Sequence, residues 1–310
     1  MPKLENYPPV TLMMPVLNEQ DYLESAVASI LDQQYPGAIE ILIELGPSID
    51  KTDEVAAGIA SRNPSVKLRN NPAGKTTVGL NSAIRDASHE IIARVDAHAE
   101  LGRDYLKRGV EILLEQNADL VGGLMAARGE GAVQAAVAWS YNSRLGIGAA
   151  KYHVGGDAGE AESAYLGIFR KSALERVGGY DETIVRGEDW DLSQRIKDSG
   201  GLVWFSPELA VTYWPRESIS AVAKQFYSTG VWRGDLSRRD LRRVSLRYWA
   251  PPTLTLVLIT SVLLAVIVWS INAYNFMDGS DGMAGGMAVI GFGSYAVDAA
   301  LIGHIPLAIT

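Results

Sequence analysis

Two acidic constellations in this chain have residue types and spacing that could hold a divalent ion or take a proton. The first is Asp96-Ala97-His98, which follows the apolar run Ile91-Ile92-Ala93-Arg94-Val95. A short run rich in β-branched residues predicts a buried strand. In an open α/β sheet, ligands gather beyond the carboxyl ends of the strands, so Asp96 and His98 would project toward one. Residues i and i+2 of an extended segment point the same way, and a carboxylate oxygen and an imidazole nitrogen can then meet a single divalent ion. The alternative is a polar strand end with a solvated acid and an incidental imidazole.

The second constellation is Gly187-Glu188-Asp189-Trp190-Asp191. Close carboxylates raise one another's pKa, which suits a general base working near neutral pH. Acids at a helix N-terminus stabilised by the dipole would look the same.

The elements that must position these residues alternate strand and helix. Val10–Met14 predicts the first strand, Pro15-Val16-Leu17-Asn18-Glu19 the loop leaving it, and Leu23, Val27, Ile30 and Leu31 a helix after Asp21. Ile39–Leu45 is the next strand. Asp50 or Thr52 can cap a helix through about Ser61, Val66–Leu68 is a short strand, and Thr76–Ala87 a helix. After the 91–95 strand come a helix from about Arg103 to Gln116 and a strand over Ala118–Val121. This order predicts a mostly parallel sheet with right-handed crossovers, a nucleotide-binding type of architecture. Gly and Ala are abundant through 122–160, which fits either a mobile connection over the site or close packing of small residues. Beyond it, Ala164–Phe169, Leu202–Phe205 and Ala210–Trp214 read as strands, and Lys171–Val177 and Asp189–Lys197 as helices.

From Ser218 to Gly230 the residues Ile219, Val222, Ala223 and Phe226 recur on one helical face, with Trp232 just past the end. Between Trp214 and Trp249 lie eight basic residues (Arg216, Lys224, Arg233, Arg238, Arg239, Arg242, Arg243, Arg247) against three acids. A basic amphipathic helix next to an apolar stretch predicts an interfacial segment; an ordinary surface helix is the alternative. Pro252–Ile271 carries no charge and is long enough to cross a bilayer core of about 30 Å. The arginines before it predict a cytoplasmic start. A Gly-rich apolar stretch from about Met283 predicts a second span.

Composition narrows the classes. The net charge of −8 argues against general nucleic-acid binding, and the absence of cysteine excludes disulfides and thiolate metal sites. The chain starts polar and reaches a strand by Val10, so no signal peptide is expected.

Taken together, Pro15-Val-Leu-Asn-Glu19, Asp96-Ala-His98 and Gly187-Glu-Asp-Trp-Asp191 resemble the family 2 inverting glycosyltransferases of GT-A fold. Arg94-Val-Asp-Ala-His98 and Tyr213-Trp-Pro-Arg216 look most like the membrane-anchored transferases of bacterial exopolysaccharide synthesis, the succinoglycan type, over roughly residues 8–270. The resemblance implies a GT-A type α/β sheet flanked by helices over 1–216, a basic interfacial segment over 217–249, and a membrane segment over 250–310 with one or two transmembrane helices. It implies transfer of a hexose from a UDP-linked donor to a polyprenyl-linked or growing polysaccharide acceptor at the cytoplasmic face of the inner membrane. Membrane lipid and other polysaccharide-assembly proteins are the implied partners, and no nucleic acid.

By the same resemblance Asp189 is the catalytic base, with Glu188, Trp190, Gln225, Trp232 and Arg233 on the acceptor side. Asp96 and His98 would hold Mg²⁺ or Mn²⁺, and Pro15, Glu19, Lys75 and Asp96 would contact the nucleotide sugar. The chain departs from the family pattern twice. His98 stands where a second Asp is usual, and Leu45 where an Asp commonly touches the base or ribose; Glu44 or Asp50 would substitute for the latter. Separately, Asn272-Ala-Tyr-Asn275-Phe-Met-Asp278-Gly-Ser-Asp281-Gly282 resembles the Asn/Asp motif of polyprenyl-phosphate sugar-1-phosphate transferases, expected here as a fragment without independent activity.

Overall fold

A computed structural model describes residues 6–144, 150–239, 249–277 and 283–301. In chain order the elements are β1 (Val10–Val16), α1 (Leu23–Leu31), β2 (Ile39–Leu45), α2 (Thr52–Arg62), β3 (Val66–Asn70), α3 (Thr76–Asp86), β4 (Ile91–Arg94), β5 (Glu100–Leu101) and α4 (Tyr105–Glu115). They continue with β6 (Leu120–Ala127), α5 (Ala132–Asn142), α6 (Lys151–Val154), β7 (Gly159–Glu160), β8 (Tyr165–Arg170), α7 (Lys171–Arg176), α8 (Glu188–Asp198) and β9 (Val203–Tyr213). The last three helices are α9 (Ile219–Arg239), α10 (Ala250–Met277) and α11 (Met283–Leu301).

One sheet runs in the order β3-β2-β1-β4-β8-β6-β9-β5, with β7 also on β9. Strands β3, β2, β1 and β4 are parallel, as alternating strands and helices require. Beyond β4 the sheet becomes mixed, because β8 runs antiparallel to both β4 and β6 while β9 returns parallel to β6. Both faces are covered, which is why the central strands read as continuous apolar runs. Leu12, Met14, Ile41 and Ile43 face a core with Leu23, Val27, Ile59, Leu106 and Val110. The alternate residues Met13 and Leu42 face a second core with Leu80, Ile84, Leu192 and Ile196.

Two sequence expectations change here. The two strands expected over 202–214 are a single strand, β9, whose pairing with β6 shifts register between Gly122 and Leu124. Ser206-Pro207 reads as a turn, but the irregularity absorbs it: Leu209 passes so close to Gly123 that a Cβ there would lie 1.6 Å from the Leu209 carbonyl oxygen. The Gly/Ala-rich stretch after Gly122 is also ordered into the end of β6 and into α5, so close packing accounts for its composition there; 145–149 lie outside the described residues.

The chain divides into two compact units, residues 1–239 and 240–310. In the second, α10 is the one helix among the described residues long and apolar enough to cross a membrane, over Ala250–Tyr274. The Gly-rich stretch expected as a second span forms α11, which falls short of that length and apolarity among the described residues. Arg242, Arg243, Arg247, Asp278 and Asp281 lie outside the described residues.

At the edge of the sheet where the parallel strands begin, Glu40 is buried and accepts hydrogen bonds from Lys67 Nζ (2.6 Å), Thr11 Oγ1 (2.7 Å) and Ser88 (backbone N–H 3.0 Å, Oγ 2.9 Å). Burial alone would raise its carboxyl, but these donors outweigh it and bring the pKa from 4.5 down to about 2. A depressed acid contributes stability that is present above its unfolded pKa and lost as pH falls through the folded one. Glu40→Gln is therefore expected to lower stability by about 2 kcal/mol at neutral pH. In denaturant titrations at stepped pH, the gap between the two proteins should close as pH falls from 4.5 toward about 2; a gap independent of pH would refute this account of Glu40.

Candidate active site

Strand order reverses at β1, with β2 and β3 on one side and β4 on the other. Crevices open at such a switch point, beyond the carboxyl ends of the strands. A cleft of about 270 Å³ opens there. Pro15, Val16, Leu17 and Glu19 line it from the end of β1, and Arg94, Asp96, Ala97 and His98 from the end of β4. Asn71, Gly74 and Thr76 close it from the turn after β3 and the start of α3, whose N-terminal end favours anions.

The β1 loop is held by short polar contacts. Asn18, at φ 56°, accepts from the Ile49 N–H at 2.8 Å. Asp50 accepts from the Thr52 N–H at 3.0 Å and hydroxyl at 2.5 Å, and from the Gln20 N–H at 3.3 Å. This loop presents Glu19 to His98, with Oε1 3.0 Å from Nδ1. The Glu19 hydrogen bond raises the His98 imidazole above its ordinary value, with burial working against it.

Opposite, the Arg94 guanidinium is 6% exposed and shared by three carboxylates. Nε donates to Asp96 Oδ1 at 3.1 Å, Nη2 to Glu188 Oε1 at 3.3 Å, and Nη1 makes a close hydrogen bond to Asp189 Oδ1. Its carbon lies 5.9 Å from the centre of the Tyr180 ring. Burial pushes the Asp189 carboxyl up to about 7; Arg94 opposes that rise, and Glu188 and Asp96 add to it.

Trp190, the next residue of α8, is buried and donates from Nε1 to Glu162 at 3.0 Å. Its ring meets Trp232 edge-on at 6.4 Å. Trp232 does not follow α9, as the periodicity predicts, but lies within it. It packs on Gly187, where φ is 77° and a Cβ would come within 1.9 Å of the indole. Gln225 turns inward on the same helix and donates to Tyr141 Oη at 3.2 Å, and Arg233 is half-buried beside Trp232. Of the apolar stripe read from the sequence, Ile219, Ala223 and Phe226 are exposed and Val222 is half-buried; Tyr227 and Val231 are exposed as well.

Asp96, His98, Pro15 and Glu19 thus share the cleft, and Arg94 joins Asp96 to Asp189 and Glu188. Three residues expected to contact the nucleotide sugar do not line the cleft. Glu44 is wholly buried beneath α3, beside Asn71 at Gly79, and cannot touch a ligand in the cleft. Asp50 gives one oxygen to the Gln20 N–H in the loop that carries Glu19 and the other to Thr52 at the start of α2. Lys75 is exposed at the N-cap of α3 and is not among the residues lining the cleft, while its neighbours Gly74 and Thr76 are. Sequence assigns no site role to Arg94, which enters only as part of a motif, nor to Tyr180, Asn71 or Thr76. An arginine closing an otherwise apolar strand was the available signal for the first. Among the described residues no group of three or more His, Asp or Glu side chains gathers as a ready metal cage.

The profile described as Glycosyl transferase family 2 matches residues 11–178, and one described as Glycosyl transferase family 4 matches residues 231–310. The chain is 29% identical over 260 residues to the succinoglycan biosynthesis protein ExoA of Rhizobium meliloti, covering 83% of this chain and 78% of that protein. It is 25% identical over 245 residues to the glycosyltransferase AglE of Haloferax volcanii, covering 77% of each. Among solved structures, the mannosyltransferase PcManGT of Pyrobaculum calidifontis, in complex with GDP-Man and Mn²⁺, is 18% identical with a TM-score of 0.59, over 98% of this chain and 85% of that one. S. aureus TarS 1–349 in complex with UDP is 16% identical with a TM-score of 0.51, over 66% of this chain and 60% of that one. The chain therefore spans less than two thirds of TarS, and both likenesses speak to fold alone.

In Glu19→Gln the His98 imidazole loses its charged partner, and its midpoint should fall in an NMR titration of the histidine ring signals. An unmoved midpoint would mean that Glu19 does not hold His98.

Proposed function

Because the chain belongs to glycosyl transferase family 2 and is a glycosyltransferase, we propose that it performs metal-dependent, inverting transfer of a hexose from a UDP-linked donor to a polyprenyl-linked or growing polysaccharide acceptor. The observation that carries this reading is the Arg94 bridge, which joins cleft-lining Asp96 to half-buried Asp189. An inverting transfer needs a cleft for the departing diphosphate and, on the opposite face of the sugar, a base for the attacking hydroxyl. The fold neighbour crystallised with UDP supports a nucleotide-sugar donor, and the one with GDP-Man and Mn²⁺ supports a divalent ion.

Asp96 and His98 both line the cleft and offer one carboxylate and one imidazole, a donor set that fits Mg²⁺ or Mn²⁺ once diphosphate oxygens and water complete the shell. Bound there, the ion would supply Lewis-acid stabilisation of the charge developing on the leaving diphosphate. Thr76 and the N-terminal end of α3 would add backbone donors for the same anion. Pro15 and Glu19 would border the nucleotide. On the acceptor side, ionised Asp189 takes the proton of the attacking hydroxyl, and half-buried Trp232, braced edge-on by buried Trp190, offers an apolar face for a sugar ring.

The membrane reading rests on α9 and α10. The outward face of α9 carries Ile219, Phe226, Tyr227 and Val231, with Lys224 and Arg238 beside them, and the apolar α10 follows ten residues later in the chain. This suits a helix lying at the cytoplasmic surface of the membrane, where a polyprenyl-linked acceptor presents its sugar and other assembly proteins meet it. The segment matched to family 4 is read as a fragment without its own activity.

A base must be ionised to act, so transfer should rise with pH through about 7, the value to which burial brings Asp189. Asp189→Asn should bind UDP-sugar as the wild type does while transfer falls about 1,000-fold. Undiminished transfer would remove Asp189 from the role of base. Removing residues 248–310 should abolish transfer to a lipid-linked acceptor in vesicles and spare donor binding. Equal transfer with and without them would show that the membrane segment only localises the enzyme.

A further inference from the structure

Arg94 belongs to neither of the two groups that the proposed chemistry requires, yet it touches both. It closes β4, while Asp189 and Glu188 open α8 about ninety residues later. The three carboxylates come from two separate segments, and the guanidinium that joins them is buried. Arg94 is held from behind by the face of Tyr180, in the loop that leads to α8. Resting on the transferase reading above, we propose that Arg94 is a positioning residue, which sets the base carboxylate of α8 at a fixed distance from the donor-side carboxylate of Asp96.

The geometry demands an arginine. A guanidinium presents a planar fork of donors that can serve three carboxylates at once, whereas an ammonium is a point charge on a flexible stem. Without the fork, Asp96, Glu188 and Asp189 face one another as like charges, and the start of α8 loses these ion pairs to the end of β4. Small displacements matter here, since a misplacement of about 1 Å can cost about 100-fold in rate. The charged and titratable groups facing Asp189 are Arg94, Glu188, Asp96, Tyr180 and Tyr165. Arg94 favours its ionised form, and Glu188 opposes it.

The test uses the full chain in detergent and two substitutions with opposite expected signs. Arg94→Lys keeps a positive charge but loses the fork. It should lower kcat for transfer by about 100-fold, change donor KM by no more than about threefold, and move the acidic limb of the pH profile up by about one unit. Glu188→Gln removes a repelling neighbour and should move that limb down. The midpoint of Asp189 itself, followed by carboxyl ¹³C NMR and assigned with Asp189→Asn, should shift in the same two directions. That measurement needs no turnover, so a wild type that transfers nothing would count against the proposed function, while the Asp189 midpoints in the two variants would still decide the role of Arg94. Arg94→Lys with unchanged kcat and limb would overturn the proposal. So would equal losses of donor binding and kcat without any shift of the Asp189 midpoint, the mark of a merely structural arginine.

Discussion

A buried guanidinium must find carboxylates, because each unpaired charge withdrawn from water costs several kcal/mol. Arg94 meets that requirement with three acids, and the arrangement of the cleft follows from it. The last residue of a central strand becomes the point at which the start of α8 is fastened to the sheet. Because three acids share one cation, the cluster keeps an excess of negative charge, and burial leaves Asp189 poised near neutrality. The ion pairs thus join the acids to one cation, while burial, opposed by Arg94, raises the proton affinity of Asp189.

The sheet separates stability from chemistry along its length. At the end where the parallel strands begin, Glu40 gathers donors from Lys67, Thr11 and Ser88 into a fully satisfied buried network. At the other end, strand order reverses and side chains are left facing a cleft. Two cores, one on each face of β1 and β2, hold the strands between these ends. Such a scaffold lets the loops after β1, β3 and β4 diverge toward a ligand without loosening the strands beneath them.

Much of this was legible in the sequence. Alternating apolar runs predict β1 to β4 and their helices, and the positions of Asp96 and His98 at the mouth of the crevice follow from the parallel order. Contacts made across long separations were not legible. Nothing local to Glu44 indicates that α3 seals it away, and nothing in Asp50 indicates that one of its oxygens ties the β1 loop to the start of α2. Trp232 reads as a residue beyond a helix because two glycines flank its segment, yet α9 runs through both, and the ring fills the space left by Gly187. The mixed half of the sheet was equally hidden, since a Ser-Pro pair within a bulged strand has the local signature of a turn.

The central claim is direct displacement at the anomeric carbon, with the base and the departing diphosphate on opposite faces of the sugar. The anomeric configuration of the product tests it without reference to any single residue. With an α-linked UDP-hexose as donor and a lipid-linked acceptor, NMR of the isolated product should show a β-glycosidic bond. An α-linked product would contradict the account.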